Sequence, residues 1–360
     1  MSTKAHYEVL DGLRGVAALL VLVFHISEIL SKGVAADNWL PHGALAVDFF
    51  FALSGFVIAH AYDRRMAEGL GFGGFMLRRF VRLHPIVPLA TLIGALAWVF
   101  APFPHAAHVV DGRFWTAVVL GLFLLPYPTL ADRAEDTHSL DGPTWTLLQE
   151  YIGSAAYGLV LHRLSPRVLA WLLVPAGGLL AWGAVAYGNL SVGWGWSHWW
   201  MAEARLAFPF IFGILLRRIL PRLTPLRMSF GGLAIVMTIA FAAGVPGGKP
   251  GWANGLLEFA YVGLLFPLII LMGAHSRMSA GTRKIAKALG RLSYPLYIIH
   301  YPFIYWYWDL ALDPHPHNLT IWAPVLYAGS VALGWTALRL WDEPLRRWAT
   351  ARWIAEGDRK

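Results

Sequence analysis

The chain has 360 residues, of which 57% are hydrophobic and only 14% charged, where a soluble globular domain carries about a quarter charged; a water-soluble fold fits poorly. The net charge is +8, but the basic residues sit in alternate loops between apolar runs. That is the positive-inside pattern of a membrane protein rather than the basic face of a nucleic-acid binder, and the absence of cysteine excludes disulfides, thiolate nucleophiles and cysteine metal sites.

Taken in chain order, the apolar segments are 13–30, 44–62, 83–101, 114–128, 144–161, 168–187, 203–219, 230–245, 254–273, 293–310 and 320–341. A crossing helix needs roughly 20 apolar residues. No polar stretch is large enough for a second domain, so residues 1–360 read as one all-α integral membrane domain. Glu8, Asp11 and Arg14 stand just before the first run, with no small-residue cleavage site; this predicts a retained anchor helix rather than a signal peptide. Arg64, Arg65, Arg78, Arg79 and Arg82 separate the second and third segments. Arg217, Arg218, Arg222 and Arg227 follow the seventh, a basic cluster from Arg277 to Arg291 precedes the tenth, and Arg346, Arg347, Arg352, Arg359 and Lys360 form the tail. All of these belong in the cytoplasm. Counting inward from both ends leaves 83–101 and 114–128 to make a single crossing. The segment 114–128, shorter and flanked by Arg113, Pro126 and Pro128, is expected to be re-entrant or interfacial. The prediction is a polytopic bundle of about ten transmembrane helices in a lipid bilayer. Both termini are expected in the cytoplasm and the loop 129–143 on the outer side.

An ionisable group inside a bilayer costs a few kcal/mol, so each one is a functional candidate. The conspicuous ones are His25, Asp48, Glu150, Arg205, Glu258 and His300. Arg14 and His25 are eleven residues apart, which on a helix returns to within about 20° of the same face and rises about 16 Å. A cation at the mouth and a histidine deeper in the membrane suit an elongated anionic ligand. Ser293, Tyr297 and His300 fall on one helical face at i, i+4 and i+7, either a functional line ending at His300 or a buried polar seam that fixes packing. Arg79 and Arg82 share one face of a helix start and suit phosphate, or simply anchor the loop. Glu150 is placed in the outer half of its segment, to orient a catalytic histidine, bind a sugar hydroxyl or pair with Arg205. His105-x-x-His108 and His315-Pro-His317 have loosely ligand-like spacing but lack supporting acids, and both read as solvated; no metal site is expected.

These residues lie in motifs that resemble the bacterial membrane acyltransferase family 3, which moves acyl groups onto sugars and other acceptors. Leu10-Asp-Gly-Leu-Arg-Gly-Val-Ala-Ala18 with His25 is similar to the family's arginine–ten residues–histidine motif. Val47-Asp-Phe-Phe-Phe-Ala-Leu-Ser-Gly-Phe56 resembles its second-helix signature, and Phe75-Met-Leu-Arg-Arg-Phe-Val-Arg82 with Pro85 its Arg-x-x-Arg motif. Trp145-Thr-Leu-Leu-Gln-Glu150, Leu289-Gly-Arg-Leu-Ser-Tyr-Pro-Leu-Tyr-Ile-Ile-His300 and Glu343-Pro-Leu-Arg-Arg347 complete the set. The fifth-helix motif departs from the usual aromatic pair by continuing Tyr151-Ile-Gly.

The resemblance implies an O-acyltransferase of the bacterial cytoplasmic membrane. It implies acyl-CoA, with acetyl-CoA foremost, as co-substrate rather than bound cofactor, and a glycan or glycolipid hydroxyl as acceptor. The expected catalytic residues are His25, Glu150 and His300. Arg14, Arg79 and Arg82 would hold the donor, and Asp48, Ser293, Tyr297 and Arg205 would bind or orient substrate. An imidazole suits the general base that takes the hydroxyl proton as it attacks the thioester, and an acyl-histidine route is also open. The rival class is a multi-span transporter or flippase of an envelope precursor, which also carries charges in mid-membrane but shows internal repeats of broken helices; no repeat is evident here.

Overall fold

The computed structural model describes residues 7–313 and 318–354, and among them every regular element is helical. The helices are α1 (Glu8–Leu30), α2 (Ala46–Ala67), α3 (Phe72–Leu83), α4 (Val87–Val99), α5 (Gly112–Leu122), α6 (Thr144–Leu159), α7 (Pro166–Tyr187) and α8 (Met201–Ile219). They continue as α9 (Phe230–Ala242), α10 (Trp252–Ala260), α11 (Phe266–His275), α12 (Ala280–Ile299), α13 (Tyr301–Leu312), α14 (Leu319–Ala337) and α15 (Glu343–Ala349). An isolated bridge between Asp136 and Gly195 ties two loops. With no water in a hydrocarbon core, the backbone must satisfy its own hydrogen bonds, which an apolar chain achieves by helices.

Among the described residues, 6 helical stretches are long and apolar enough to cross a membrane: Glu8–Leu30, Gly43–Ala67, Phe72–Val99, Pro166–Tyr187, Trp252–His275 and Leu319–Ile354. Large apolar side chains such as Leu92, Trp171, Leu264 and Leu340 point outward from them. In water that surface would be a liability; in lipid it is the solvent-matched face.

Several boundaries differ from the sequence reading. The third segment begins at Phe72 rather than residue 83, because α3 runs into α4 through a single 3-10 turn at His84–Ile86. Pro85 and Pro88 fall where a helix start tolerates a missing N–H. The tenth begins at Ala280 and breaks at His300, where Pro302 removes a donor from the next turn. The fourth yields only the 11-residue α5, about 16 Å of rise against a core of about 30 Å.

Two helix pairs form the centre. α1 lies along α12, and α2 along α8. The second pair touches backbone to backbone: a Cβ added at Gly55 would stand 2.0 Å from the Phe210 carbonyl oxygen, and one at Gly213 2.0 Å from that of Ala52. Small residues at such crossings let membrane helices approach closely.

The two ends of the bundle differ in chemistry. At one end Arg283 pairs with Glu8, Arg218 with Asp63, and Arg291 with Glu343. These contacts gather the start of α1, the end of α2, the end of α8, the start of α12 and α15. At the other end the His42 amide donates to Phe241 O and the Gly251 amide to Gly188 O, and Arg133 stands 3.8 Å from Asp309. Glu258 sits there too, buried, accepting from the Leu190 amide and Asn254 and contacting His42. It closes a loop and touches neither cavity described below.

Candidate active site

Two cavities lie end to end along α1. The first, of about 320 Å³, is bordered by Arg14, Arg79, Arg82, Lys287, Arg291 and Arg346, with Asp11 and Glu150 as its acids. Phe50, Leu53, Val57 and Leu147 form an apolar wall. The second, of about 260 Å³, is bordered by His25, Glu28 and a group of aromatic rings. Val47 and Tyr297 border both, so the cavities meet there. Arg14 and His25, aligned on one face of α1, are thereby assigned to different chambers about 16 Å apart.

In the arginine cavity the cations divide into held and free. Arg14 donates to Ser293 Oγ at 2.9 Å and to Gly290 O at 2.8 Å. Ser293 thereby holds Arg14 and itself borders the cavity. Arg79 is 3% exposed; it donates to Glu150 Oε1 at 2.5 Å and to Ser154 Oγ at 3.0 Å. Ser54 donates to the same Glu150 oxygen at 2.9 Å. Arg291 and Arg346 are paired with Glu343 and Asp342. Arg82 and Lys287 have no hydrogen bond or ion pair among the described residues, and both border the cavity. The expected pair of phosphate-binding arginines thus separates: Arg82 is available to an anion, and Arg79 is committed to Glu150.

Glu150 needs correcting in the same terms. It faces the arginine cavity, not the histidines, and its partner is Arg79 rather than Arg205. Arg205 is already occupied. It is 1% exposed and donates to both oxygens of Asp48, at 2.5 and 3.2 Å, and to Val192 O and Ala44 O. Asp48 and Arg205 therefore clasp α2 to α8 and to the loop before α8, and Arg205 forms part of a wall of the second cavity. The pair satisfies itself, as buried charges must.

In the histidine cavity, His25 Nδ1 lies 3.4 Å from Glu28 Oε2, one turn further along α1. A carboxylate only accepts, so this contact places the proton on Nδ1 and leaves the Nε2 lone pair for a substrate proton. The His300 ring is centred 5.7 Å from that of His25, and the Tyr301 ring 4.9 Å from it. His300 is fully buried. Its Nδ1–H points at the carbonyls of Leu296 and Tyr297, at 3.1 and 3.0 Å, in the last turn of α12. Nε2 of His300 has no partner among the described residues. The helix break at His300 brings the two imidazoles, separated by 275 positions in the sequence, into one place. Tyr297 accepts from Thr146 Oγ1 at 3.3 Å where the cavities meet.

Glu28 was missed by the sequence reading, although its i+3 spacing from His25 on a helix was a usable signal. Arg133, which that reading placed in an outer loop, is buried against Tyr305 and Asp309. His108 is not solvated: its ring stacks on Trp98 with centroids 4.4 Å apart, and it contacts Asp132. The amides of His105 and Ala106 donate to the same carboxylate. Burial acts to raise the pKa of Asp132, and these donors outweigh it and hold the group below its ordinary value. The motif His315-Pro-His317 lies outside the described residues.

The arrangement sets a chamber lined by cations beside one that holds the His25 imidazole. Comparison with known proteins agrees in kind. A family model described as an acyltransferase domain matches residues 7–339. The peptidoglycan O-acetyltransferase OatA of Listeria monocytogenes is 25% identical over 94% of this chain, which spans 55% of OatA's own length. Protein 2 of the picA locus in Rhizobium radiobacter is 36% identical over 43% of this chain and 83% of that protein. Acyltransferase MdmB of Streptomyces mycarofaciens is 28% identical over 45% of this chain and 42% of its own length. No solved structure matches the chain.

Proposed function

This chain belongs to the membrane acyltransferase family matched over residues 7–339 and is an acyltransferase, and on that premise we propose that it moves an acetyl or related acyl group from acyl-CoA to a hydroxyl of a glycan or glycolipid. The donor enters the arginine cavity from the cytoplasm. Its phosphates meet Arg82 and Lys287, and its pantetheine arm follows the apolar wall toward Tyr297. The acceptor enters the histidine cavity from the outer side. The observation that carries this reading is the meeting of the two chambers at Val47 and Tyr297, with free cations at one end and His25 at the other.

The chemistry is a direct transfer. His25 Nε2 removes the acceptor O–H proton as that oxygen attacks the thioester carbonyl. The carbon–sulfur bond breaks, and the departing thiolate takes the proton from the imidazolium, leaving an ester and free CoA. Glu28 holds the ring and stabilises the imidazolium while it exists.

On the same reading the chain crosses the bacterial cytoplasmic membrane ten times with both termini inside. In support, successive helical stretches, α3–α4, α10–α11, α12–α13 and α14–α15 each taken as one rod, alternate between the two ends of the bundle. The α5 helix, short and apolar, does not cross. The transporter or flippase reading has less support: the family model describes an acyltransferase domain, and two of the named relatives, OatA and MdmB, are acyltransferases.

The test is acyl transfer by the purified protein from labelled acetyl-CoA to envelope glycans. His25→Gln is expected to lower turnover by about 10²–10⁴-fold while CoA binding and protein level persist. Glu28→Gln is expected to give a smaller loss, confined to kcat. Near-normal turnover by His25→Gln would remove the base from the mechanism.

A further inference from the structure

We infer that Tyr297 is a catalytic residue: its phenol O–H donates to the thioester carbonyl oxygen and stabilises the negative charge that gathers there during transfer. This rests on the acyl-transfer reading and supplies what His25 leaves open. A base activates the attacking hydroxyl, but the attack also drives an electron pair onto the carbonyl oxygen. A fixed donor aimed at that oxygen is usually the largest single contribution to rate.

Tyr297 stands where such a donor is needed. It borders both cavities. Its ring packs edge-on against Phe50 at 5.3 Å, and its hydroxyl lies 3.3 Å from Thr146 Oγ1; both neighbours border the arginine cavity. The phenol oxygen is therefore on the donor side of the meeting point and His25 on the acceptor side. The His300 ring is centred 6.2 Å from that of Tyr297 and 5.7 Å from that of His25, so base and phenol are no more than two ring contacts apart. That interval suits a hydroxyl and a carbonyl approaching within about 3–3.5 Å.

The other donors at the meeting point are committed. Thr146 donates to Pro143 O at 2.8 Å and Ser54 to Glu150. Arg205 uses Nε, Nη1 and Nη2 on Asp48, Val192 O and Ala44 O. The Trp145 and Thr146 amides at the start of α6 go to Gly142 O and Pro143 O. Tyr301 and Trp145 border the histidine cavity alone. Tyr297 has only the 3.3 Å contact, beyond the usual range of about 2.5–3.0 Å, and its own proton has no acceptor among the described residues. A phenol, ordinarily ionising near pH 10, keeps that proton at neutral pH. The acceptor oxygen bonds to the carbonyl carbon while the carbonyl electron pair moves onto oxygen, held by the phenol. When the carbonyl re-forms, the carbon–sulfur bond breaks and the thiolate leaves with the proton that His25 carried.

Two measurements on the full chain in lipid nanodiscs test this. Tyr297→Phe keeps the ring and removes the donor; kcat for transfer from acetyl-CoA is expected to fall about 10²–10³-fold, with both KM values and the thermal midpoint unchanged. In isotope-edited infrared spectra, carbonyl-13C acetyl-CoA bound to the His25→Gln protein is expected to show its carbonyl band at lower wavenumber than when Tyr297→Phe is added, and Tyr301→Phe should leave the band in place. A band that does not respond to Tyr297→Phe, a kcat within about threefold of normal, or a loss carried by KM or by stability would each overturn the inference. Transfer that survives Tyr297→Phe sinks this role alone; no transfer by the unsubstituted protein sinks the acyl-transfer reading and this role with it.

Discussion

Arg82 has no partner among the described residues, whereas Arg79, one turn earlier, is bound to Glu150 and Ser154. The sequence presents the two as equivalent, and the fold does not. Arg82→Lys keeps the charge but loses the planar fork; it should weaken CoA binding about tenfold, roughly 1.4 kcal/mol, at normal protein level. Arg79→Lys should instead lower the thermal midpoint, because Glu150 and Ser154 lose a buried partner. The two readouts, CoA affinity and thermal unfolding, separate the roles, and a large affinity loss in Arg79→Lys without destabilisation would contradict the division. Residue-scale features were legible where one helix carries both partners. Arg14 and His25 align because α1 is continuous from Glu8 to Leu30. Glu28 was within reach of the same reasoning. The pairings Arg79 with Glu150 and Arg14 with Ser293 join positions 71 and 279 apart, and no local periodicity encodes them.

The α2–α8 pair carries Ser54 and the Asp48–Arg205 clasp, and it depends on glycine at its crossing. Gly213→Ala should destabilise the protein by about 1–3 kcal/mol, since its Cβ would meet backbone rather than a movable side chain. Gly178→Ala on α7, where nothing lies within 4 Å, should be neutral. Thermal unfolding in detergent measures both, and equal midpoints would show that the close crossing is dispensable. Elements were readable from hydropathy in the middle of each segment and poorly at the ends. The start of α12 is polar, with Arg283, Lys284 and Lys287, so a hydropathy scan enters it only at Ser293. The same composition hid the early part of α3, whose polar face carries Arg78, Arg79 and Arg82.

Over the whole molecule, the two ends of the bundle carry different chemistry, and the proposed two-sided reaction rests on that difference. Basic residues that sequence analysis assigned to the cytoplasm, among them Arg218, Arg283 and Arg291, meet at one end with Glu8, Asp63 and Glu343, and the arginine cavity borders Arg291 there. The histidine cavity lies toward the opposite end, roofed by the loop that carries Asp132, Arg133 and Asp136. On the proposed reading, donor and acceptor are used from opposite faces of the membrane. It is tested most directly with sealed, right-side-out membrane vesicles that contain the protein and are loaded with labelled acetyl-CoA. A saccharide acceptor is supplied only outside. Label is expected on the external saccharide and is expected to be lost in His25→Gln vesicles of equal protein content. Label on the saccharide only when it shares a compartment with acetyl-CoA would contradict it.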